Sequence, residues 1–227
     1  MRWHFQDFIY GSIDGAVTTF AIVAGVVGAS LSPNIILILG FANLFGDGFS
    51  MAVSNYQASK AQKEYISMMR KKEEWSIDNL EDQERQEIRD IYSKKGFKDD
   101  LLEEIVRMIT SRRKVWVDTM MREELGLVED DKKPLDAALS TFFGFNAIGL
   151  IPLLPFVFFM ILDWEVDGLA FLYSVVSTGA AFFLVGMIKG KIVKKCIWSS
   201  GLFTLLIGGS AAFVAYIVGY GLHLIVK

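Results

Sequence analysis

Residues 8–31 read FIYGSIDGAVTTFAIVAGVVGASL, 24 residues whose single charge is Asp14. About 20 apolar residues cross the ~30 Å hydrocarbon core of a bilayer as one helix. The stretch is long enough to span, and the pattern recurs four times. Residues 34–56 carry only Asp47, residues 135–162 only Asp136, and residues 169–188 and 197–226 no Lys, Arg, Asp or Glu. Ser32-Pro33-Asn34 reads as the tight turn between the first two spans. The pattern predicts an all-α membrane protein with five transmembrane helices.

Charge is segregated in the same way. Residues 60–133 hold 17 of the 23 Lys/Arg and 19 of the 26 Asp/Glu. A soluble protein spreads charge over its whole surface; here it is confined to one insert. The insert is nearly balanced in sign, which argues against a nucleic-acid patch. The expected organisation is two spans in residues 1–59, a charged helical domain in 60–134, and three spans in 135–227. No cleavable signal peptide is read, because Met1–Asp7 is mixed polar and aromatic and the first apolar run is too long.

Orientation is expected from the Lys/Arg asymmetry near the span ends. The turn between the first two spans has no basic residue, and the loop from Asp163 to Asp167 is acidic. Lys60, Lys63, Lys132 and Lys133 flank the insert, and Lys189, Lys191, Lys194 and Lys195 crowd the last loop. The insert, the lysine loop and the N-terminus are therefore expected in the cytoplasm, and the C-terminus outside.

The insert reads as three or four helices. No Gly or Pro interrupts residues 56–75, so the second span is expected to continue into the insert. Asp78 with Glu81, and Asp100 with Glu103, read as helix starts of the capping-box kind. Gly96 and Gly126 read as helix stops, the latter closing a helix over residues 112–124.

Asp14 and Asp47 are the first candidate functional residues. A carboxylate at the bilayer centre costs on the order of 3 kcal/mol by insertion scales and normally faces a bundle interior or an ion route. The plainer alternatives are a headgroup position for Asp14 and a hydrogen-bonded structural role for Asp47. Met51 follows Asp47 at i+4, on one helix face. A carboxylate and a thioether together suit a metal of intermediate softness such as ferrous iron; simple packing is the other reading of Met51. The glycines of both spans read as close helix–helix contacts.

The insert supplies the second group. Glu84 lies within the stripe Leu80, Ile88 and Ile91, and Glu87 falls beside Ile91. Met120, Met121 and Glu124 share a face with Val117. Acids on an apolar face need partners, and cations are the obvious ones; the competing reading is a solvated helix paired with Arg85, Arg89 or Arg122. The single Cys196 excludes an internal disulfide and a CxxC site, and the only histidines are His4 and His223. No nucleophile–base pair, phosphate loop or histidine metal motif is present, so an enzyme is not expected and no prosthetic group is implied.

Two stretches carry a resemblance to a known family. Residues 14–21, DGAVTTFA, with residues 23–29, VAGVVGA, resemble the first-helix signature of the vacuolar iron transporter family. Residues 40–52, GFANLFGDGFSMA, resemble its second-helix signature. Ile91-Tyr92, Gly96-Phe97, residues 201–209 and residues 216–219 resemble further landmarks, and the likeness covers nearly the whole chain.

The resemblance implies a transporter that moves ferrous iron, and often manganese, out of the cytosol in exchange for protons. It implies a homodimer with the pore between the first helices, and a cytoplasmic domain that gathers metal on glutamates and methionines. Asp14 would be the pore carboxylate, Met51 the pore thioether, and Asp47 a further polar group. Glu84 and Glu87 match the family's second glutamate pair, and Met120, Met121 and Glu124 its Met-Met-x-x-Glu element. Glu73 and Glu74 are the nearest candidates for the first pair. Where many members have Gly-Glu-Tyr, this chain has Ser54-Asn55-Tyr56. The implied cargo is Fe²⁺, with Mn²⁺, Co²⁺ and Zn²⁺ as further candidates, in a cell membrane or a vacuole-type membrane. The rival reading is a membrane-anchored metal sensor or storage protein without flux.

Overall fold

The first span forms because apolar and small residues alternate without a proline for 27 residues, giving helix α1, Arg2–Gly28. A computed structural model describes residues 2–128, 132–164 and 168–225, with side chains from Phe5 onward. After a short turn in which Ser30 takes a positive φ, α2 runs from Pro33 to Asn79. Three short helices follow: α3, Glu81–Lys94; α4, Asp99–Thr110; and α5, Arg113–Glu123. Helix α6 covers Pro134–Gly149 and α7 Leu154–Ile161; α8 covers Gly168–Ile192 and α9 Ile197–Ile225. Five helical segments are long and apolar enough to cross a membrane: Phe5–Gly28, α2, Pro134–Ile161, α8 and α9. The fold is all-helical among the described residues, as the apolar runs predict. Residues 165–167 of the acidic loop and Val226 at the end of the fifth span lie outside the described residues.

The chain packs as two compact units, residues 1–57 with 132–227, and residues 58–131. In the first, Ala16, Phe20, Val23, Phe145, Leu153, Phe156 and Phe182 form a buried apolar core. Outside it, large apolar side chains such as Phe203, Leu206, Phe213 and Ile217 remain exposed. An outer apolar surface of that kind is matched to lipid, since backbone polar groups are satisfied inside each helix.

Helix α1 approaches α6 backbone to backbone. A Cβ at Gly11 would strike the Thr141 carbonyl oxygen, one at Gly15 that of Phe145, and one at Gly144 that of Phe8. Only glycine fits these three places, which is how small residues hold membrane helices together.

The third span was expected as one helix and is broken into two. Pro152 and Pro155 have no N–H to give, so the chain passes through a 3₁₀ turn at Ile151–Leu153. The Ser174 hydroxyl donates to the Pro152 carbonyl at 2.7 Å, satisfying an acceptor at the break.

The second unit has its own core of Ile66, Ile77, Ile88, Leu102, Val106, Ile109, Trp116, Val117, Met120 and Met121. Helix α3 ends as expected. Gly96 sits at φ +98°, and the Phe97 N–H donates to the Tyr92 carbonyl at 3.2 Å. Its start differs from the expected capping box: Asp78 belongs to α2, and Leu80 occupies the cap position without a side-chain bond. Helix α4 begins one residue before Asp100, also without a side-chain cap.

Candidate metal centre

Helix α2 is 47 residues long, about 70 Å at 1.5 Å per residue, more than twice a hydrocarbon core. Its apolar part ends near Tyr56, and its charged part, from Lys60 on, belongs to the second unit. There Glu73 is 7% exposed. Glu84, from α3, is 5% exposed and sits one turn before the fully buried Ile88. Glu124 closes the end of α5. One carboxylate oxygen from each of Glu73, Glu84 and Glu124 lies within 4.8 Å of the others.

Like charges at this range in a partly dry site cannot all stay ionised. Burial, a hydrogen bond with Glu84, and the charges of Glu84, Glu124 and Glu87 push the Glu73 carboxyl up to about 8. Burial also raises Glu84, the shared hydrogen bond opposes that rise, and Glu87 adds to it. Glu124 is raised by burial and by Glu87 and Glu84, with Lys72 acting in the other direction. A hydrogen bond between two carboxyls needs a proton between them, so Glu73 and Glu84 share one. One oxygen of each partner, Glu73 Oε1 and Glu84 Oε2, is buried without a hydrogen-bond partner.

Two of the three arginines of the solvated-helix reading are engaged elsewhere. Arg85 donates to Glu81 at 2.7 Å and to Thr110 at 2.6 Å, and Arg89 grips both oxygens of Glu103. A compact group of carboxylate oxygen donors is the donor chemistry of a hard or borderline divalent cation.

The other predicted residues divide. Glu87 is half-buried and accepts from Gln83 at 3.3 Å, close enough to act on all three cluster carboxylates. Glu74 turns to Arg113, at 3.9 Å, which also holds Asp78 at 2.7 Å, so it stands apart from the cluster. Met120 is fully buried in the core. Met121 lines a cleft of about 460 Å³ together with Arg70, Tyr92 and Asp118.

In the first unit, Asp14 is half-buried and near enough to Asp47 to feel its charge. Asp47 is exposed on an otherwise apolar span, and Met51 packs against the apolar core. Asn43 donates to the Thr18 and Thr19 hydroxyls, each at 3.3 Å, joining the two signature helices.

A family model described as the VIT family matches residues 5–220. The chain belongs to the VIT family. Among VIT-family relatives, the vacuolar iron transporter of Toxoplasma gondii is 37% identical over 224 residues, 96% of this chain and 74% of that protein. That of Plasmodium falciparum is 33% identical over 94% of this chain and 80% of its own length. Vacuolar iron transporter 1 of Arabidopsis thaliana is 31% identical over 93% of this chain and 83% of its own.

One polar group of this VIT-family chain went unpredicted. Asp7 is 7% exposed, and its Oδ1 accepts from Asn55 Nδ2 at 2.9 Å and Lys132 Nζ at 2.8 Å. The same Asn55 amide donates to Thr141 Oγ1 at 2.7 Å. The sequence offers one signal for it: Asp7 precedes Asp14 by seven residues, two turns of one helix face.

Proposed function

We propose that the chain transports ferrous iron, and manganese with it, out of the cytosol in exchange for protons. The observation that carries this reading is the cluster of Glu73, Glu84 and Glu124, with carboxylate oxygens within 4.8 Å of one another. Glu87 adds charge beside it, and Met120 and Met121 supply softer donors on the Glu124 helix. In this reading residues 60–134 form a cytoplasmic metal-collecting domain between spans one and two, in residues 1–59, and spans three to five, in residues 135–227. The names of the relatives support iron as cargo, and the lysines flanking the insert support its cytoplasmic side.

Asp14, Asp47 and Met51 line the membrane path. The exposure of Asp47 on an apolar span supports a homodimer, because a carboxylate facing lipid is costly and a second copy would enclose it. Protonation of the carboxylates releases metal and couples the cycle to a proton gradient.

The test is uptake of Fe²⁺ and Mn²⁺ by proteoliposomes with an imposed pH gradient. The reading expects metal uptake coupled to opposite proton movement, lost in Asp14→Ala with the oligomer intact. Metal binding without flux would replace this reading with the sensor or storage protein.

A further inference from the structure

Helix α2 stands off from α6 where α1 does not. A Cβ at Gly48 would meet the Asn146 amide and the Phe145 ring, side chains rather than backbone. Nearer the start of α6 the two helices leave a groove of about 340 Å³ between them. Its floor is the buried pair Ala52 and Ala138, and its walls are exposed large residues, Phe49 on one side and Leu135 and Leu139 on the other. Every lining residue is apolar or aromatic. From Tyr56, where the apolar part of α2 ends, to Phe49 is seven residues, about 10 Å at 1.5 Å per residue. That length fits within one leaflet, half of a ~30 Å core.

The mouth of the groove is positively charged. Asn55 donates to the Ala137 carbonyl at 3.4 Å, so the Tyr56 end of α2 lies beside the first turns of α6. Lys133 takes the cap position of α6, two residues before Leu135; it is exposed and makes no ion pair among the described residues. Its neighbour Lys132 is held by Asp7, and Asp136 is not part of the lining. Helices α6 and α7 cross together and α8 returns, so Lys189, Lys191, Lys194 and Lys195 lie on the same membrane face. The Tyr56 ring sits at the depth where aromatic residues meet headgroups.

A second groove, of about 440 Å³, lies between α7 and α8 against Leu154 and Tyr173. The loop that joins those helices carries Asp163 and Asp167 and no lysine. An apolar lining alone welcomes the acyl chain of any lipid. A lysine at headgroup depth adds a preference for net negative charge, about fivefold in binding per lysine.

We propose that the groove between α2 and α6 seats one acidic phospholipid, with an acyl chain over Ala52 and Ala138 and the phosphate at Lys133. The lipid fills the space the side chains leave and ties α2 to α6 where α2 leaves the apolar core. This holds whatever ion the chain moves.

The test uses the full chain in phosphatidylcholine nanodiscs. Phosphatidylglycerol or phosphatidylcholine with a photoreactive diazirine in the acyl chain is added at equal mole fraction, and cross-linked peptides are mapped by mass spectrometry. Residues 49–56 and 135–142 should take about fivefold more of the charged lipid than of the neutral one, while residues 154–159 and 173–180 take both equally. Lys133→Gln, a change at an exposed position, should bring the first ratio to parity without lowering the neutral lipid's labelling. Equal labelling of the α2–α6 groove by both lipids in wild type overturns the proposal. So does a groove that neither lipid reaches because a second copy of the chain covers it, and so does a preference that survives Lys133→Gln.

Discussion

Replacing Glu73 by Gln should stabilise the metal-free insert at pH 8 and abolish its stabilisation by metal. The sign follows from the proton on Glu73. An unfolded glutamate titrates near 4.5, and the folded one is raised to about 8. Below the lower value both states hold the proton and no penalty exists. As pH rises from about 4.5 to about 8, the unfolded chain ionises while the folded cluster keeps its proton, so stability falls; above that window the penalty is constant. At about 1.4 kcal/mol per pH unit, the full gap is worth a few kcal/mol, shared across the pair. Gln keeps the shape and a hydrogen bond to Glu84 but has nothing to ionise. At pH 8, amide hydrogen exchange in α3 and α5 of the metal-free variant should therefore be slower than wild type by about a hundredfold, each factor of ten being about 1.4 kcal/mol. Adding Mn²⁺ at a hundred times its Kd should restore about 2.7 kcal/mol to wild type and nothing to the variant. Exchange that is faster in metal-free Glu73→Gln than in wild type at pH 8, or equal protection of both by Mn²⁺, would refute the shared-proton cluster.

The remaining predictions use the same geometry. At pH 7 metal binding should release about one proton per ion from Glu73, seen by calorimetry in buffers of different ionisation enthalpy; affinity should rise up to about tenfold per pH unit as the pH approaches 8 and level off above it. Glu84→Gln should weaken Mn²⁺ binding at least tenfold and Glu74→Gln less than twofold, measured by equilibrium dialysis, because Glu74 belongs to Arg113. Ile88→Ala should cost the insert about 2–4 kcal/mol by hydrogen exchange, since Ile88 is fully buried in its core. Gly15→Leu should abolish the monodisperse peak in size-exclusion chromatography, because its side chain has only the Phe145 backbone to enter.

The membrane spans were legible because a bilayer demands long apolar runs, and little else in a sequence imitates them. The continuation of α2 beyond Tyr56 was legible for the same local reason, the lack of Gly or Pro. Helix starts in the insert were not. Asp78 looks like a cap, yet it is held by Arg113, a residue 35 positions away. The stripe that put Glu84 among apolar residues pointed to its burial, but nothing local distinguishes Glu73 from Glu74. Adjacent helical residues diverge by about 100°, and only packing against α3 and α5 decides which one meets Glu84. Asp7 was passed over because it precedes the apolar run and looks like a solvated end. Its burial comes from Asn55, Lys132 and Thr141, none of them near it in sequence. Beside the Gly-Glu-Tyr pattern of the resemblance, Asn55 reads as a missing acid in the sequence, and in the fold as an amide donating to Asp7.

The glycine contact between α1 and α6 has a mechanical consequence. Where backbone rests on backbone, there are no rotamers to rearrange, so such an interface moves as one piece or not at all. Asp7 and Asp14 ride on the helix so fixed. Seven residues of α-helix set them about 10 Å apart along the axis and on one side. That spacing is as constant as the helix itself. Any change of shape in this unit therefore has to come from the helices that face α1 and α6.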